Sequence, residues 1–178
     1  MSSSLRPDNL RAALDAKLAA AMSQLAELRE AEQPRATVHL NPREILGTFL
    51  QYTCRVYTIA DTFGRMQAGD LQFDAWYAQW LGGLVETDRA LWQQLRDERV
   101  RRDLGFSTEL IEVEIAVPSD PSITLRQAAP HARAEVRKRF IRFAAAPNRA
   151  AADVCDDYLR LARRFASDFV RDYARFLP

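Results

Sequence analysis

"NPREILGTFLQYTCRVYTIADTF", residues 41–63, decides how the rest of the chain is read. It opens on a helix start signal. Asn41 can cap, Glu44 can reach back to that cap, and Pro42 suits the first helical position, where its missing N–H would have no partner anyway. Behind it Ile45, Leu46, Phe49, Leu50, Val56, Tyr57, Ile59, Ala60, Phe63 and Met66 fall on most sides of a helix running to about residue 67. A helix that is apolar nearly all round belongs at the centre of its domain. The run 45–63 is long enough to span a bilayer, but Gln51, Arg55 and Asp61 would then sit where polar groups are expensive. The expectation is a central core helix and no membrane.

Upstream, residues 8–32 read as a helix capped by Asp8 or Asn9. Leu14, Leu18, Ala21, Leu25 and Leu28 alternate spacings of four and three, the seam of a short coiled coil. Two heptads are few, and packing on the body of the domain is preferred over an oligomer arm. Downstream, "AGD" at 68–70 is a turn, and residues 73–105 read as one kinked helix or two. Asp74 is the expected cap, and Trp76, Tyr77, Trp80, Leu81, Leu84, Leu91, Trp92 and Leu95 form the apolar stripe. Gly82-Gly83 weakens the middle, a second start lies near Thr87, and Gly105 ends the segment. The last helix, 150–176, turns Val154, Tyr158, Leu161, Phe165, Phe169 and Phe176 inward and Arg160, Arg163, Arg164, Arg171 and Arg175 outward. Trp76, Trp80, Trp92, Phe49 and Phe63 should be buried together.

One stretch changes period. "IEVEIAV", 111–117, alternates apolar residues with Glu112 and Glu114, which is the pattern of a strand. A lone strand is not stable, and "RFIRF" is the best partner, with Arg139 or Arg142 facing the glutamates, although residues 138–147 also read as a helix with Val136, Phe140, Phe143 and Ala144 on one face. The fold class is therefore mainly α. Residues 1–178 form a single-domain bundle of four or five helices with a small two-stranded β-element at about 111–117 and 138–144. Pro118, Pro121 and Pro130 mark 118–130 as a mobile loop.

The 178 residues are 48% hydrophobic and 28% charged, ordinary for a globular domain, and the net charge of +1 names no partner. Its distribution is uneven. Residues 122–178 hold 12 Lys/Arg against 6 Asp/Glu, so this part is +6 and the remainder −5. Of 25 basic residues, 23 are arginine, a composition that fits a GC-rich bacterial genome. Cys54 and Cys155 lie in apolar surroundings without CxxC spacing, as buried thiols in a reducing cytoplasm do. The N-terminal residues carry no apolar signal region.

The candidate site is cationic. Within and just beyond "RQAAPHARAEVRKRF", 126–140, stand Arg126, Arg133, Arg137, Lys138, Arg139 and Arg142, interleaved with Phe140 and Phe143. Arginine suits bidentate contact with phosphate or carboxylate, so this cluster is the expected anion- or partner-binding region. Arg55 joins it as a charge in the most apolar helix, without a local partner. It needs a carboxylate from another helix or an anion to bind, and the structural salt bridge is preferred. Asp61 and Arg65 can pair within one turn. No metal-ligand spacing, Gly-rich phosphate loop or nucleophile elbow occurs, so neither metal nor cofactor is expected.

Arg126 and His131 form R-x4-H, a spacing that resembles the pair acting on the RNA backbone in the helical ribonucleases of the HEPN group. The resemblance covers these two residues. It keeps the family's polar residue after the arginine, in Gln127, and departs from the pattern at Pro130, which interrupts a helix directly before the histidine. It implies a metal-independent RNase centred on Arg126 and His131. The leading expectation is different: a non-enzymatic interaction protein of a bacterial cytoplasm, a regulator or subunit of a larger assembly, with a protein partner or its own copy. Between the two stands an RNA- or DNA-binding accessory protein using the basic region.

Overall fold

The structure, a computed structural model, describes residues 7–31, 42–96, 115–117, 136–138, 143, 146 and 148–173. The fold is a mainly-α bundle, with five helices among the described residues: α1 (Pro7–Ala31), α2 (Pro42–Ala68), α3 (Asp70–Gly82), α4 (Glu86–Arg96) and α5 (Ala151–Tyr173). Two three-residue strands, β1 (Ile115–Val117) and β2 (Val136–Lys138), pair antiparallel, with Ile115 opposite Lys138 and Val117 opposite Val136. The partner of β1 seen here, 136–138, meets the expected segment 138–144 at Lys138, and residues 139–142 lie outside the described residues. The expected contacts of Glu112 and Glu114, the loop 118–130 and the helix end at Gly105 lie outside the described residues.

Most helix ends follow the local chemistry. α2 begins at Pro42, α3 stops at Gly82 with Gly83 closing its end, and α4 begins one residue before Thr87. Two caps differ. α1 already begins at Pro7, which places Asp8 and Asn9 inside its first turn. α3 begins at Asp70 and not at Asp74, because Gly69 turns the chain with φ 84° and ψ 165° and no side-chain cap. Asp74 instead pairs with Arg65 at 2.7 Å. That backbone geometry is open to glycine alone. Gly69→Ala should cost about 1–2 kcal/mol, read as a lower urea midpoint at unchanged slope.

The coiled-coil seam of α1 is used within the chain. Leu10, Leu14, Leu18, Ala21, Leu25 and Leu28 are buried, and α1 packs on α2 and α5. The centre is shared, which the sequence reading did not anticipate. α2 touches every other helix among the described residues, but so does α5. α5 buries Cys155, Leu159, Ala162, Ala166 and Tyr173 as well as the expected Val154, Tyr158, Leu161, Phe165 and Phe169. α2 in turn is two-sided, with Gln51, Arg55 and Met66 exposed. Trp76 Nε1 donates to Asp172 at 3.2 Å and Trp80 Nε1 to Asp168 at 3.1 Å, so α3 runs antiparallel to α5. Arg29 meets Asp156 at 3.1 Å, which orients α1 the same way.

Aromatic rings fill the space between α2, α3, α4 and α5. Phe49, Trp80 and Trp92 are buried as expected, whereas Phe63 and Trp76 are half-buried. Trp76 lines an open hollow beside α5, where its N–H meets Asp172. Cys54 and Cys155 are free, buried thiols. Cys54 Sγ donates to the carbonyls of Leu95 and Arg96, at 3.4 and 2.7 Å, which ties α2 to the end of α4.

Arg96 completes that corner, its guanidinium carbon 4.4 Å from the ring centre of Tyr57 and 5.3 Å from that of Tyr77. Burial pushes the Tyr57 hydroxyl up to about 12, Arg96 opposes this, and Asp61 adds to it. Burial also raises Tyr77. A folded-state value above the ordinary one near 10 means that the contribution is complete below pH 10 and is lost as pH climbs through 12. Stability should therefore fall over that interval, by at most about 1.4 kcal/mol per pH unit for one group. Tyr57→Phe should make the alkaline limb shallower; an unchanged limb would show that Tyr57 ionises freely.

Candidate functional site between the first and last helices

The residues picked out in the sequence are not brought together by the described part of the molecule. Arg126, Arg133, Arg139, Arg142 and His131 lie outside it, and Arg137 and Lys138 are placed only as backbone in β2. Arg55 is exposed on the outer side of α2 and makes no ion pair among the described residues. The preferred salt bridge is not seen there. It was inferred from a helix apolar on all sides, and the two-sidedness of α2 removes the need for it. Arg65 does find Asp61, at 2.8 Å, and also takes Asp70 and Asp74 from α3. These three carboxylates hold its guanidinium well above the ordinary arginine value.

The outward arginines of α5 are mostly answered by acids. Arg160 reaches Asp88 of α4 at 3.1 Å, Arg164 reaches Asp168 at 3.7 Å, and Arg171 bonds both Asp168, at 2.9 Å, and Asp172, at 3.1 Å. Each of these two aspartates also accepts a tryptophan N–H from α3. The cluster therefore ties α3 to α5 and leaves little free charge. Arg149, just before α5, is held by Asp157 at 2.8 Å.

Arg163 is different. It is exposed and has no ion pair among the described residues, and Arg11 of α1 shares both properties. Both line an open groove of about 700 Å³ between α1 and α5. Its floor is Leu14, Leu18 and Ala166; Ala19, Met22 and Val170 stand along its sides; Asp15, Ser167 and Arg171 complete the lining. Met22 keeps 47% of its surface in contact with solvent. The groove follows from the two sequence patterns. Each helix spends its apolar stripe on the core, and where two round surfaces diverge above their contact the flanking residues of both form a trough.

Two smaller hollows border α5. One, of about 330 Å³, lies beside Trp76, Gln79 and Gly83, with Arg164 and Arg171 on its wall. The other, of about 250 Å³, has Leu91, Leu95, Phe143, Ala146 and Val154 for its surface and the Arg149–Asp157 pair at its rim. The cations of both are already bound to carboxylates. Sequence reading missed the groove, because nothing in α1 alone distinguishes Arg11 or Met22 from other outward residues.

No protein-family model matches the sequence, and no curated protein or solved structure matches the chain. Among the described residues no helix is long and apolar enough to cross a membrane, and no group of three or more His, Cys, Asp or Glu could hold a metal.

Proposed function

We propose that the protein is a non-enzymatic interaction protein of a bacterial cytoplasm, a regulator or subunit of a larger assembly, and that it engages another chain through the groove between α1 and α5. The carrying observation is the exposed Met22 over an apolar floor. An adaptable thioether above a trough between two long helices is the kind of surface on which a partner helix settles. The buried free thiols fit a reducing compartment.

A photo-crosslinking residue placed at Met22 in the host should yield one discrete adduct of defined mass. Met22→Glu should remove the partner from a copurification while leaving the helical spectrum intact, since exposed substitutions cost little. Adducts no different from those formed at an outward residue such as Glu30 would overturn the reading.

The pairing of Arg160, Arg164 and Arg171 with aspartates counts against a phosphate-binding face on α5. A nucleic-acid role would rest on Arg126, Arg133, Arg137, Lys138, Arg139 and Arg142. Binding of single-stranded RNA that weakens with salt, by a slope of roughly −0.7 per phosphate contact, would support it.

A further inference from the structure

The geometry points to an acidic amphipathic helix of another protein as the occupant of the α1–α5 groove; this rests on the docking role proposed above and names its partner's chemistry. α1 and α5 are antiparallel, so Met22 stands at the Arg163 end of the groove and Arg11 at the end near Val170 and Arg171. Arg171 is committed to Asp168 and Asp172, and Asp15 is the acid of the lining. Two guanidiniums without ion pairs among the described residues thus stand at opposite ends and on opposite walls of an apolar trough. The two ends are about 12–16 Å apart at 1.5 Å per helical residue. A helix lying in the trough would place an apolar stripe on Met22 and the floor. Acidic residues about two to three turns apart would then meet Arg163 and Arg11. A second copy fits poorly, because a two-fold contact of the groove with itself returns the same unpaired cations to a shared face. A phosphate backbone fits poorly too, since between the two cations it would meet the apolar floor and the carboxylate of Asp15.

The test uses the full chain and two synthetic helical peptides of about 18 residues, five turns. They share a leucine stripe at i, i+4, i+7 spacing and carry either glutamate or lysine on its flanks, and binding is read by fluorescence anisotropy at low salt. The glutamate peptide should bind at least tenfold more tightly than the lysine peptide. Met22→Glu should weaken it at least tenfold, and so should Arg11→Glu with Arg163→Glu, each variant keeping its circular dichroism and urea midpoint. Equal binding of both peptides would overturn the acidic partner and leave the docking groove standing. Binding of neither, with a discrete adduct still formed at Met22, would do the same. Self-association that Met22→Glu abolishes would make a second copy the occupant and overturn the inference. Glutamate-peptide binding untouched by all three substitutions would place it elsewhere and overturn it also.

Discussion

Phe165→Ala should lose about 3–5 kcal/mol of unfolding free energy, a large share of the 5–15 kcal/mol that holds an ordinary domain together. The ring is fully buried, and its centre lies 5.0 Å from those of both Trp80 and Trp92, 5.6 Å from Trp76 and 5.8 Å from Tyr57. Those neighbours come from α2, α3 and α4, so truncation opens a void bounded by four helices that cannot all move inward together. Part of the loss is area returned to water, and part is the cavity that remains. Aromatic pairs add about 0.5–1.5 kcal/mol beyond burial. Phe165→Leu keeps most of the volume and should lose about 1–1.5 kcal/mol. Urea unfolding followed by tryptophan fluorescence reads both variants. A loss under about 1.5 kcal/mol for the alanine variant would mean that the rings do not converge on α5.

Gly64→Val should cost about 3 kcal/mol, at a position that looks harmless in the sequence. A Cβ built on Gly64 would overlap the ring of Phe73 from α3. That ring cannot swing aside. It is stacked on Tyr77 at 6.2 Å, meets Phe169 edge-on at 6.0 Å, and carries the Arg65 guanidinium 5.1 Å from its centre. Gly64→Ala sets two effects against each other. Alanine gains about 1 kcal/mol in helix propensity and loses about 1–3 kcal/mol to overpacking, so a net loss is expected. In a Phe73→Ala background the obstacle is gone, and the same change should become neutral or stabilising. A double-mutant cycle isolates this coupling. No coupling would mean that α2 and α3 do not approach at Gly64.

Much of the helical layout was legible because its causes are local. Pro42 can start a helix but not continue one, Gly82-Gly83 weakens one, and the leucine seam of α1 and the stripe of α5 repeat at the helical period wherever the helix ends up. Asp61 and Arg65 are one turn apart on any helix. The pairing of β1 was legible in kind, since an alternating strand needs a partner and the expected segment supplies one at Lys138. Of the candidate site, little was legible. A cationic run such as 126–142 states its charge but not what faces it. The groove is made by Arg11 and Met22 on α1 with Arg163 on α5, residues that have nothing in common until the two helices lie side by side.

The sequence alone determined that the chain forms helices, where most of the described ones start, and which stripe of α1 and of α5 turns inward. These depend on the turn geometry and on the contrast between apolar and polar residues along one element. Tertiary structure decided everything that needs two elements. It gave α5 an equal share of the centre, left Arg55 in solvent, and took Asp74 from its expected cap to Arg65. It matched most of the α5 arginines with aspartates and left Arg163 beside Met22. The physical reason is range: helix period and capping act within about one turn of chain, whereas a charge or a ring acquires its partner only from the helix that packing sets beside it.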